Sequence, residues 1–206
     1  MKTLILGDSW TDPYYLTYLN KALGEKHDFP YWSEMFDATI IAWCGCSNDW
    51  LFQQFMNKNE KYDRVIVFWS CWTRRGIRNY RSGMHDNPHD TCFTINYMNA
   101  VSKLRPDAFQ MQALDPIHIK TEFDATKDLR FQTEYHDLRF ETVKEVIGRN
   151  DSPNVHGWPV FDEIGGFTMR NILEREYGDT WQIDEWDGHP NGKGHEYIYE
   201  YIKRHV

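Results

Sequence analysis

Ser9 stands in the run Gly7-Asp8-Ser9-Trp10, where the apolar stretch Met1-Lys2-Thr3-Leu4-Ile5-Leu6 ends. His189 stands near the other end of the chain, in Asp187-Gly188-His189-Pro190-Asn191. A serine hydroxyl is a weak nucleophile at neutral pH and needs a base within hydrogen-bond reach. An imidazole serves when a carboxylate takes its Nδ1 proton and leaves Nε2 to accept from the hydroxyl. Asp187 shares a short turn with His189 and can be that carboxylate. Each run alone also reads as an ordinary polar turn before a helix. Together they supply a nucleophile, its base and the acid that orients the base. Attack by such a serine creates an oxyanion, which needs hydrogen-bond donors. Gly7 allows a sharp turn that brings Ser9 to a helix N-terminus, where backbone N–H groups face the developing charge.

These residues need elements to carry them. Leu4-Ile5-Leu6 reads as a short strand buried on both faces, as parallel sheets require. Pro13 opens a helix running from Tyr14 to Leu23. Ala38–Trp43 reads as a second strand, stopped by Gly45. Ser47-Asn48-Asp49 caps a helix through Leu51, Phe52, Phe55 and Met56. Val65–Trp69 is the clearest strand, and a polar loop follows to about Asp90. Phe93–Leu104 has a helical pattern, and Ala108–Leu114 reads as a fourth strand. The segment 122–149 is highly charged, and Tyr135, Leu138, Val143, Val146 and Ile147 give its second half an apolar helical face. Trp158–Phe161 reads as a short edge element. Asn191 caps a last helix whose inner face is Ile198, Tyr201 and Ile202. Strands alternating with helices predict a parallel sheet with helices on both faces. No repeat or linker divides the chain, so 1–206 reads as one domain.

The two motif runs resemble the SGNH (GDSL-type) hydrolase superfamily. Gly7-Asp8-Ser9 matches its nucleophile block, with Trp10 where leucine is commoner. Gly45, in Trp43-Cys44-Gly45-Cys46-Ser47-Asn48, is similar to the second-block glycine whose N–H serves the oxyanion hole. His189 matches the last block. The family's acid lies three residues before its histidine, where this chain has Trp186. Asp187 is therefore displaced by one residue, and Asp184 is the other candidate acid. The third block supplies an asparagine in Gly-x-Asn-Asp, whereas this chain has Phe68-Trp69-Ser70-Cys71-Trp72. Asn48 is the nearest replacement for that donor, and Ser70 the second. The resemblance implies an α/β flavodoxin-like three-layer sandwich around a parallel sheet. It implies a carboxylic ester hydrolase with Ser9, His189 and Asp187 as the catalytic triad, and with Ser9, Gly45 and Asn48 as the oxyanion hole. It implies no cofactor.

Composition narrows the partners. With 206 residues, 41% of them hydrophobic and a formal net charge of −8, the chain has enough apolar residues for one core and repels polyanions. Nucleic acid is therefore not expected as a partner. No apolar run approaches a membrane span, so no membrane insertion is expected. A strand beginning at Lys2 leaves no room for a signal peptide, which predicts a cytoplasmic location; a viral origin is left open. The four cysteines show no paired C-x-x-C spacing, and His85, Asp86, His89 and Asp90 read as a plain loop, so no metal is expected. His195 and His205 read as ordinary helix residues.

For substrate, the aromatics near the motifs and the arginine run after the third strand are informative. Trp10, Trp43 and Trp72 are candidate pocket walls, Asp8 and Ser70 candidate polar contacts, and Arg74 a candidate anchor for an anionic group. Core packing and a solvated loop are the competing roles. The pattern points to a small acyl ester, acetyl foremost, on a carbohydrate-like molecule. The alternatives are a carbohydrate- or acyl-binding module without turnover, or a structural assembly protein with a vestigial site.

Overall fold

The computed structural model describes residues 1–24, 26–72, 88–114, 143–184 and 188–206. Four strands, Thr3–Gly7 (β1), Ala38–Ala42 (β2), Arg64–Trp69 (β3) and Phe109–Gln112 (β4), form one sheet in the order β2-β1-β3-β4. Every pairing is parallel: Ile5 lies opposite Ile40 on one side and Ile66 on the other, and Ile66 lies opposite Phe109. The helices are Tyr15–Leu23 (α1), Asn48–Lys58 (α2), Pro88–Leu104 (α3), 143–149 (α4), Met169–Tyr177 (α5) and Gly192–Lys203 (α6).

The apolar runs of β1 and β3 are continuous because both faces of the sheet are covered. Successive strand side chains point to opposite faces. Leu4, Leu6, Val65, Val67 and Trp69 accordingly pack with Leu51 and Phe55 of α2, Ile95, Met98 and Val101 of α3, and Val143 of α4. Ile5, Ile66, Phe68, Phe109 and Met111 pack on the other side with Trp32, Met169, Ile172 and Leu173 of α5, and Ile198 and Ile202 of α6. The result is a three-layer α/β sandwich with a central parallel sheet. The chain leaves β1 toward the β2 edge and later returns to β3 on the other side. Such a reversal opens a crevice at the carboxyl ends of the strands. Ser9, Gly45 and Ser70 follow β1, β2 and β3, so all three stand at that end of the sheet.

Several elements differ from expectation. The third helix starts at Pro88, five residues before Phe93. Trp158–Phe161 is not an edge element: Gly157 and Val160 have positive φ, and the segment is a turn leading into a 3-10 helix at Asp162–Ile164. The pairing next to β4 falls instead at His156, opposite Met111. Helix α5 was carried by a signal that is easy to pass over, a capping box in which Thr168 accepts from the Asn171 N–H at 3.2 Å. The first part of the charged segment, to residue 142, lies outside the described residues. Among the described residues no helix is long and apolar enough to cross a membrane.

Candidate active site

The turn after β1 is built from main-chain contacts. The Asp8 carbonyl accepts from both Thr11 and Asp12 N–H groups at 2.9 Å. The Asp8 carboxylate closes a smaller loop by accepting from the Trp10 N–H at 3.1 Å. Gly7 is required by close approach: a Cβ there would lie 2.0 Å from the Thr11 hydroxyl oxygen. Ser9 emerges from this turn only 3% exposed.

The base comes from the segment 180–191. The Ile183 N–H donates to the His189 carbonyl at 3.0 Å, and Gln182 bridges Pro190. Asn191 caps α6 by accepting from the Gly194 N–H at 3.1 Å, and its Nδ2 donates to the Thr180 and Gln182 carbonyls at 3.0 and 2.8 Å. One asparagine thus ties the helix start to the strand-like segment beside it. Trp181 is fully buried and meets Trp10 with ring centroids 5.5 Å apart. That contact sets the base segment against the nucleophile turn.

The outcome is a direct contact across 180 residues of sequence: His189 Nε2 lies 2.8 Å from Ser9 Oγ. The His189 ring also stacks on Tyr15, the first residue of α1, at 4.0 Å and 24°. Sequence reasoning missed Tyr15, and its only signal was its place one turn beyond the nucleophile. Asp187 lies outside the described residues. Asp184 is half-buried on the segment that pairs with His189.

Two backbone N–H groups follow β1 and β2 at the carboxyl end of the sheet. Among the described residues, those of Ser9 and Gly45 donate to no acceptor. Gly45 has φ +75°, the left-handed region that glycine reaches without strain. Its loop follows β2 and is tied to the end of β1, with the Trp43 N–H donating to the Gly7 carbonyl at 3.2 Å.

The β3 exit is different. Asn48 is not the cap of α2; Ser47 is, accepting from the Trp50 N–H at 3.3 Å. The Asn48 side chain instead clamps the Ser70 main chain, donating to its carbonyl at 3.0 Å and accepting from its N–H at 2.9 Å. Ser70 Oγ donates to the Asp8 carboxylate at 2.8 Å. Gln112 donates to the Ser70 and Leu114 carbonyls, each at 2.9 Å, and accepts from the Trp72 indole at 3.0 Å. Four of the expected substrate contacts are drawn into this packing. Asp8, Ser70, Trp10 and Trp72 are 0%, 0%, 3% and 1% exposed. The first two bond each other, Trp10 packs on Trp181, and Trp72 packs edge-on against Phe161. Trp43, at 59% exposed, is the tryptophan of that group with a face to offer. Arg74 lies outside the described residues.

No family model matches the chain, and no curated protein matches it. Solved structures do. A lipase/acylhydrolase from Enterococcus faecalis is similar at 16% identity and a TM-score of 0.48, over 100% of this chain and 95% of that one. An acetyl xylan esterase is similar at 14% identity and a TM-score of 0.44, over 100% of both chains. A GDSL-like lipase from Bacteroides thetaiotaomicron is similar at 10% identity and a TM-score of 0.44, over 98% of this chain and 86% of that one. Several of the solved structures it resembles are described as GDSL-type lipases or lipolytic proteins. Likeness at this level says nothing of residue roles, which rest on the contacts described above.

Two further titratable groups border the site. His195 of α6 is wholly buried against Tyr31, with ring centroids 4.0 Å apart, and accepts weakly from the Trp32 N–H at 3.4 Å. Burial, with a smaller contribution from His189, pushes its pKa down to about 3, so it is neutral at pH 7. It is a packing residue of α6, buried where the sequence reads it simply as a helix residue. Asp12 is 7% exposed, and burial raises its pKa even though it accepts two backbone N–H bonds. Among the described residues, no group of three or more histidine, cysteine or acidic side chains could hold a metal.

Proposed function

We propose that this chain is a serine esterase of the SGNH type, folded as one domain over 1–206. The observation that carries the reading is the 2.8 Å contact between His189 Nε2 and Ser9 Oγ. Ser9 Oγ attacks the ester carbonyl while His189 Nε2 takes its proton. The N–H groups of Ser9 and Gly45 hold the oxyanion, with the second Nδ2 proton of Asn48 as third donor. His189 returns the proton to the leaving alcohol, and water then hydrolyses the acyl-enzyme by the same route in reverse. Asp187 orients His189. The substrate is a small acyl ester, acetyl foremost, on a carbohydrate-like alcohol. The exposed ring of Trp43, next to Gly45, suits the flat face of a sugar, and Arg74 is the anchor for a carboxylate or phosphate on it.

The test is labelling with a fluorophosphonate, location of the adduct by mass spectrometry, and hydrolysis of p-nitrophenyl acetate. An adduct on Ser9 with turnover supports the reading; an adduct elsewhere, or none, overturns it. For the substrate, acetylated anionic and neutral sugars are compared in wild type and Arg74→Ala. Equal rates on both in wild type would discard the anionic preference.

A further inference from the structure

We propose that Asp12 is a positioning residue that clips the Gly45 loop to the nucleophile turn, a role that rests on the reading of Ser9 as nucleophile. One carboxylate oxygen accepts from the Tyr14 N–H at 3.0 Å, at the start of α1. The other accepts from the Cys44 N–H at 3.1 Å, one residue before Gly45. Its own N–H is held by the Asp8 carbonyl at 2.9 Å, and its carbonyl accepts from the Tyr15 N–H at 3.0 Å. Asp12 therefore belongs to the Ser9 turn and reaches across to the Gly45 loop. The two open N–H groups sit on two separate loops, and a side chain that bonds both loops fixes one donor relative to the other.

A turn cap alone would not need this residue. A serine or asparagine accepts from one N–H as well as aspartate does. Only a carboxylate offers two acceptor oxygens and no donor. Burial works against an ionised carboxylate here and raises its pKa, and the neighbouring Asp8 adds to the penalty. A group held at a cost to stability points to a task other than stability.

The loop has other anchors. The Trp43 N–H donates to the Gly7 carbonyl, the Cys46 N–H donates to the Trp43 carbonyl at 3.0 Å, and the Cys46 thiol lies 3.6 Å from the Gly7 carbonyl. Loss of the clip should leave the loop in place and free only the peptide that carries the Gly45 N–H. Misplacement by about 1 Å can lower turnover by about a hundredfold.

The experiment uses Asp12→Asn and Asp12→Ser, which keep one acceptor for the Tyr14 N–H and lose the second. Esterase kcat and KM, the melting temperature, and amide hydrogen exchange over 43–46 are measured for both. The expected result is a kcat lower by about ten- to a hundredfold with KM within about twofold. The melting temperature stays close to wild type, and exchange over 43–46 quickens. Unchanged kcat, unchanged exchange, or a fall in kcat matched by a fall in melting temperature overturns the clip. Failure of the parent reading is seen separately, as a wild type that neither turns over nor labels at Ser9.

Discussion

The exits of β1 and β3 lie side by side and do opposite things with their polar groups. At the β1 exit a serine hydroxyl meets an imidazole, and the Ser9 N–H finds no acceptor among the described residues. At the β3 exit the serine is sealed: the Ser70 N–H, carbonyl and hydroxyl are all bonded to buried side chains. Buried polar groups must be satisfied, so an unsatisfied N–H beside a nucleophile is informative where a satisfied one is not. Among the described residues, the unbonded N–H groups of Ser9 and Gly45 thus lie at the β1 and β2 exits, and the bonded one of Ser70 at the β3 exit.

Replacing the open serine should act on chemistry and leave the fold alone. Ser9→Ala should lower esterase kcat by roughly three orders of magnitude or more. Its melting temperature should stay within a few degrees of wild type, because Ser9 Oγ holds no other element in place. Activity retained by the variant would mean that the β1 exit is no more a catalytic centre than the β3 exit.

Asn48 straddles the two exits, and Asn48→Ala separates its duties. Loss of an oxyanion donor lowers kcat by about a hundred- to a thousandfold. The same change leaves the Ser70 N–H buried without its partner, costing about 1–3 kcal/mol. We expect both effects, with KM little changed. A variant that loses stability but keeps its kcat would assign Asn48 wholly to the sealed side.

Much of this contrast could not be read along the chain. Residue types at Ser9 and His189 name their chemistry, and the apolar runs of β1 and β3 are unambiguous because a parallel sheet buries both faces. Trp10 and Trp72 are another matter. A tryptophan beside a motif has the same sequence signature whether it lines a pocket or fills a core, and only packing against Trp181 and Phe161 decides. The Asn48–Ser70 clamp spans 22 residues and has no local pattern. Asp12 has half of one: its bond to the Tyr14 N–H is a local turn, whereas its bond to Cys44 is made 32 residues away. Helix α5 is only nine residues long, so its apolar stripe of Met169, Ile172 and Leu173 is a brief signal beside the cap at Thr168.

Ser70→Ala should be the mirror of Ser9→Ala. It removes a hydroxyl donor from the buried Asp8 carboxylate and puts nothing in its place. Hydrogen bonds to charged groups contribute about 1.5–3 kcal/mol, so urea unfolding should show a loss of that order. Esterase kcat should fall by no more than a few fold at a temperature where the variant is folded. A large loss of kcat with intact stability would place Ser70 among the groups that meet substrate, and the two exits would no longer differ in kind.

The smallest expected effect concerns Tyr15, which holds the base from the open side. Its ring lies 4.0 Å from that of His189 and nearly parallel to it. During attack His189 gains a proton, and an aromatic face attracts a cation by about 0.5–2 kcal/mol. The stack also limits rotation of the imidazole about its own bond, which keeps Nε2 aimed at Ser9. Tyr15→Phe retains the ring and should leave kcat within about twofold. Tyr15→Leu removes the face and should lower kcat by roughly two- to thirtyfold, the range that this attraction spans. KM should hold, since the ring acts on the base. Equal effects of the two substitutions would move the contribution from the ring face to the phenolic hydroxyl, and no effect of either would make the stack incidental packing at the start of α1.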